Sequence, residues 1–338
     1  MRRLVLVFAV GLSSLPLFAQ LGGKATYQFL NLMSSPRQTA LGGKIITNVD
    51  YDVTQAIYNP ATINVDMDNQ LAFNYANHLG DIRYGTAAYA YTVDRRTQTF
   101  HAGVTYVNYG NFDGYDEFGN STGSFTGNEV AVSFGYALQI GFSDFYAGAN
   151  VKLISSKLEQ YSSFGGAVDL GLIYIDSNLD FNAAMVVRNI GTQFTTYAGL
   201  NEPLPLEIDV GLSQTLQNVP IRWHLTFENL QQWPIATPNP ARVTTDLSGN
   251  QTQEKIGFLS QLIRHTIVGV ELFPRRGFNL RMGYSFRRSE ELRIEELRNF
   301  SGLSFGIGVK FNKLRFSYTH ARYSLASNTS FLGMQISL

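Results

Sequence analysis

The chain has 338 residues, 26 basic and 26 acidic side chains and no cysteine, and only 15% of its residues are charged. The missing cysteine excludes a disulfide framework, a thiol nucleophile and a thiolate zinc site. The balanced charge is unlike the basic excess of duplex-binding proteins, so no nucleic-acid partner is expected. A Gly-rich chain with 24 Phe, 18 Tyr and mean hydropathy near zero leaves two classes, a large β-sandwich and a membrane β-barrel.

In chain order, Met1-Arg2-Arg3 is a positive n-region and Leu4 to Leu12 an apolar run, with Ala19-Gln20 the expected cleavage point. Residues 1–19 therefore read as a signal peptide. That run is too short to cross a bilayer as a helix, which needs about 20 apolar residues.

Residues 20–69 show no period. Tyr27 to Leu32 and Ala40 to Gly43 are short apolar pieces joined by turn residues, and Asn59-Pro60-Ala61 closes the stretch. A semi-structured segment of this size suits a plug beneath or inside a wide barrel.

From residue 70 onward apolar and polar residues alternate. Val130, Val132, Phe134, Tyr136 and Leu138 stand opposite Glu129, Ala131, Ser133, Gly135 and Ala137. Ile208, Val210 and Leu212 oppose Glu207, Asp209 and Gly211, while Phe278 to Phe286 and Leu303 to Phe311 repeat the pattern. Period two gives each strand one apolar and one polar face. About fourteen such runs span residues 70–338, most of them about 10 residues or longer, the reach of a tilted membrane strand. Their connections alternate between short (141–143, 176–178, 274–276, 312–313) and long (110–127, 189–203, 231–263, 289–300). Outer-membrane barrels alternate short periplasmic turns with long external loops, and an even strand count returns both ends to the periplasm. The fold expected is thus an all-β transmembrane antiparallel barrel, with both termini periplasmic.

The polar faces carry Glu129, Asp169, Glu207, Asp209, Glu228 and Glu271, together with Lys152, Arg188, Arg222, Arg281 and Lys310. Toward lipid at the midplane an Arg or Lys costs about 2–4 kcal/mol, so these residues are expected to face the lumen. Two uses of them stay open, a salt-bridged interior and a polar permeation path. Tyr75, Tyr106, Tyr136 and Tyr284 suit an interfacial girdle.

Chemistry is sparse. His78, His101, His224, His265 and His320 fall on separate predicted strands without metal-ligand spacing, and no Walker loop, HExxH or GxSxG is present. The chain reads as non-enzymatic, without catalytic residue, metal or cofactor. Residues 254–264 form a candidate amphipathic helix in the longest loop. Trp233, Phe258, Leu259, Leu262, Arg288 and Arg293 are the candidate partner-docking residues. Arginines crowd the last third, where lipopolysaccharide phosphates, a partner or solvated turns are the alternatives.

Several segments resemble the PorQ family of type IX secretion barrels. They are Gly22-Gly23-Lys24 through Tyr27-Gln28-Phe29-Leu30 to Arg37-Gln38-Thr39-Ala40-Leu41-Gly42-Gly43, Gln70 to Tyr75, Ser156 to Tyr161, Arg188 to Gln193 and Glu202 to Pro205. Asn59-Pro60-Ala61 is similar to a motif of the wider FadL-like barrels, and Pro36 departs from the small residue expected there. The resemblance implies a fourteen-strand FadL-like barrel with an N-terminal plug in a Gram-negative outer membrane. It implies a non-catalytic anchor that holds the surface protein PorZ near PorU and PorV, where cargo is joined to anionic lipopolysaccharide. The alternatives are a FadL-like channel for hydrophobic compounds and, more remotely, an outer-membrane hydrolase.

Overall fold

In the computed structural model the described residues are 25–78, 80–94, 98–235, 244–245, 251–252, 256–291, 301–322 and 328–338. The expected signal peptide, Gly22 to Lys24, Arg293 and much of the loops 231–263 and 289–300 lie outside them.

The alternating runs form fourteen strands: β1 (Gln70–Asn77), β2 (Arg83–Asp94), β3 (Gln98–Tyr115), β4 (Ser121–Gln139), β5 (Phe145–Leu158), β6 (Tyr161–Asp176), β7 (Phe181–Thr195), β8 (Glu207–Thr215), β9 (Ile221–Phe227), β10 (Thr266–Leu272), β11 (Phe278–Ser285), β12 (Leu303–Phe311), β13 (Leu314–Arg322) and β14 (Asn328–Ser337). Each pairs antiparallel with its neighbours in sequence, and β1 pairs with β14 from Gln70↔Ser337 to Asn77↔Ser330, which closes the sheet into a barrel. Closure leaves no edge strand, so each strand has a hydrogen-bonded neighbour on both sides within the wall.

The alternation sorts side chains as the sequence predicts. Phe134, Val151, Met185, Met282 and Leu332 point outward and are exposed, while Ser133, Lys152, Ala184, Arg281 and Phe331 point inward and are buried. All four girdle tyrosines are outward, Tyr75 and Tyr106 well exposed.

One rim carries the short turns 140–144, 177–180, 216–220, 273–277 and 312–313, and the other carries 196–206, 228–235, 256–265, 286–291 and 301–302. Loop length follows parity less strictly than expected, because β5 and β6 join at the loop rim through residues 159–160 alone. The expected loop 110–127 is mostly strand. β3 and β4 run on past a register shift at Asn108/Asn111 to a tip at 116–120. Alternation there is too weak to read as strand, because both faces meet solvent and no side chain is selected for burial. The alternating run from Phe278 is strand only to Ser285, and Phe286–Glu291 turns into a short helix, α3.

Residues 25–69 pass between the inward faces of the strands. They start at the loop rim, where the Thr26 amide donates to the Pro203 carbonyl, and finish at the turn rim, where β1 begins. Helix α1 (Pro36–Ala40) is capped by Ser35, whose hydroxyl accepts from the Gln38 amide, and Pro36 at its first position fits because that amide would be unbonded anyway. Three 3-10 turns follow at Val53–Ile57, Pro60–Thr62 and Val65–Met67, each capped by an Asp or Asn side chain. Tyr27 and Phe29 pack on Tyr84, Val107 and Phe331, and Val53, Ile63 and Met67 pack on Ala72, Ala88 and Ala137.

An even strand number does bring β1 and β14 back to one rim, but the segment adds a further crossing. The described chain therefore begins at one rim and ends at the other.

Candidate functional site

The lumen charges meet the segment rather than only each other. Arg37 of α1 lies 2.8 Å from Asp50 and 2.9 Å from Glu271 on β10, and Glu271 also accepts from Arg281 on β11 at 2.8 Å. Arg222 on β9 reaches Asp50 at 3.1 Å. A second cluster joins Lys44 of the segment to Glu207 on β8, which also pairs with Arg188 on β7. Arg188 stacks over the Tyr58 ring at 4.6 Å. Beside it Lys152 on β5 pairs with Asp169 on β6 at 2.7 Å. Buried charges persist only when paired and hydrogen-bonded, and here each cluster supplies both signs.

The other expected lumen residues divide. Glu129 is buried and accepts from the Tyr109 hydroxyl at 2.5 Å, without an ion pair among the described residues. Asp209 accepts the Asn229 amide at 3.0 Å. Glu228 is buried at the loop rim just past β9, its carbonyl bonded to His265. Lys310 does not belong to the network. It lies exposed one residue from the end of β12 at the turn rim, where the inward parity opens to solvent.

Asn59-Pro60-Ala61 acts as a fastening. The Asn59 carboxamide accepts the Ala61 amide at 3.0 Å and donates to the Ile46 carbonyl at 2.7 Å. A Cβ on Gly148 of β5 would strike Pro60, and one on Gly283 of β11 would strike Leu41 and Gly42. Inward glycines thus let the backbone of the segment lie against the wall. Arg37, Lys44, Asp50 and Asp52 were missed in the sequence, where four charges set among small and apolar residues were the signal on offer.

At the loop rim, helix α2 (Phe258–Arg264) occupies part of the expected 254–264, with Phe258 69% and Leu259 65% exposed. Trp233 stacks on Phe258 at 5.0 Å and on His265 at 5.1 Å. His265 caps the C-terminus of α2 instead of sitting on a strand. Leu262 is half-buried beneath the helix. Arg288 is turned inward, donating to the Gly302 carbonyl at 2.9 Å and the Ser304 hydroxyl at 2.7 Å, so it braces α3 rather than facing outward.

No protein-family model matches the sequence, and no curated protein matches it. Among solved structures, a Pseudomonas aeruginosa FadL homologue is similar at 10% identity and TM-score 0.48, over 90% of this chain and 98% of that one. The KdgM porin matches at 7% identity and TM-score 0.34, over 80% of this chain and 99% of that one. CdiB from Acinetobacter baumannii matches at 8% identity and TM-score 0.36, over 80% of this chain and 59% of that one. The fourteen-strand closed barrel stands on its own strand pairing.

Proposed function

We propose that the protein is an outer-membrane barrel serving as a fixed, non-catalytic platform. Its turn rim faces the periplasm, and its loop rim holds a surface partner. What carries this reading is the lumen. Residues 26–67 lie in it, fastened by two buried ion-pair clusters, so the barrel's interior is spent on structure. The outward apolar belt favours a bilayer as the surrounding medium, since soluble monomers rarely expose large contiguous apolar patches. The resemblance to PorQ barrels gives the partner: PorZ, held near PorU and PorV in the type IX attachment complex. Phe258 and Leu259, exposed on α2 over the stacked Trp233, supply an apolar contact of the kind that anchors interfaces. Replacing both with Ser should leave the barrel inserted and release PorZ from the cell surface into the medium. PorZ that stays on cells carrying the double variant would overturn the docking assignment.

A FadL-like passage for hydrophobic compounds is the second reading. It is favoured by a cavity of about 210 Å³ at the turn rim, lined by Val49, Ile63 and Tyr146 together with the polar Asn64, Thr99 and Gln139. That reading requires residues 25–69 to move.

A further inference from the structure

The outer wall where the barrel closes has a feature that anchoring does not use. Strand register sets Tyr75, Leu332, Tyr318 and Ile307 in one outward row across β1, β14, β13 and β12, with Phe73, Met334, Phe316 and Val309 in the next. The two rows border an apolar groove of about 440 Å³ above the backbone of Gly333. Toward the loop rim the next outward row is polar on three strands, Asn77, Ser330 and His320, and ends at Phe305 on β12. Arg83 on β2 flanks it beside Asn77, and Arg322 lies one outward position beyond His320 on β13. No carboxylate among the described residues is paired with either arginine. Neighbouring strands are about 4.8 Å apart and Arg322 lies two residues further along its strand than the row of Arg83, so the two side chains rise from points roughly 16 Å apart across the top of the groove, close enough for long side chains to converge on one headgroup.

An arginine facing lipid costs least at the interface, where phosphates lie, and each basic side chain there contributes about 1 kcal/mol of attraction to anionic lipid. We propose that this wall binds one phosphorylated membrane lipid. An acyl chain lies along the groove between Phe73, Leu332 and Phe316, and its phosphate is held by Arg83 and Arg322, with His320 and Asn77 completing the polar row. The site rests on the reading that the barrel is membrane-embedded.

The test is native mass spectrometry of the full-length barrel in micelles carrying lipid A, with a phosphate-free galactosyl diacylglycerol as the comparison lipid. Lipid A should bind and the galactolipid should not. Arg83→Ala with Arg322→Ala should weaken lipid A binding by about tenfold or more. Met334→Trp, which fills the groove and leaves the arginines, should weaken it too. Arg275→Ala with Arg276→Ala at the turn rim should leave it unchanged. If the arginine pair variant still migrates as a folded barrel in unheated gels and holds lipid A like the parent, the proposal fails. Equal binding of the galactolipid also overturns it. Orientation is read separately: a Glu117→Cys variant of this cysteine-free chain should react with an impermeant thiol reagent on intact cells. A failure there strikes the platform reading while the affinity measured in micelles still decides the lipid site.

Discussion

Glu207 shows how a single side chain holds the segment to the wall. It is fully buried on β8 and neutralises Lys44 from the segment and Arg188 from β7 together. Truncating it to Ala leaves two buried cations without their shared partner, a loss of about 3–5 kcal/mol for a broken buried pair. Glu207→Ala should therefore lower the urea midpoint of the purified barrel and expose residues 25–69 to protease, both measurable against the parent. That Glu207 faces inward was legible from alternation alone, because its neighbours Leu206 and Ile208 are apolar. Its partner Lys44 was not, since pairing across 163 positions leaves no local period. Lys310 marks the limit of parity as a guide. Alternation says which face a residue occupies but not how near the rim it lies, and at the rim the inward face is wet.

At the scale of elements, strand existence was readable and strand length was not. Alternation is imposed by burial on one face, so it fades wherever a strand leaves the barrel wall. The β3–β4 extension shows this: Phe112 and Phe125 stack on each other at 5.4 Å, while nearly every residue around them is exposed. The extension contacts none of the core clusters. Replacing residues 110–126 with a two-residue Asn-Gly turn should leave the barrel's thermal unfolding unchanged. A lowered unfolding temperature would show that the hairpin carries stability after all. The inner segment was the opposite case, legible only as a stretch without period. Its turns rest on Asn and Asp caps and on contacts with wall glycines, and neither produces a repeat.

For the whole molecule, the fourteen-strand barrel followed from counting alternating runs, and closure followed from the pairing of first strand with last. The course of the segment from loop rim to turn rim did not, because strand parity counts only what lies in the wall. The choice between platform and passage turns on whether that segment stays in place. A cysteine-free chain allows a direct test. A Cβ built on Gly171 lies 3.1 Å from that of Ala61, a little short of the ~3.5–4.5 Å of a disulfide, but 2.1 Å from the Asn59 Oδ1, so the bridge is built with that side chain removed: Asn59→Ala, Ala61→Cys and Gly171→Cys together should join segment and wall. The measurement is the amount of PorZ on the surface of cells carrying the bridged barrel, oxidised and then reduced. A platform keeps PorZ at the parental level in both states. Loss of surface PorZ on oxidation and its return on reduction would show that the segment must move, contradicting the account.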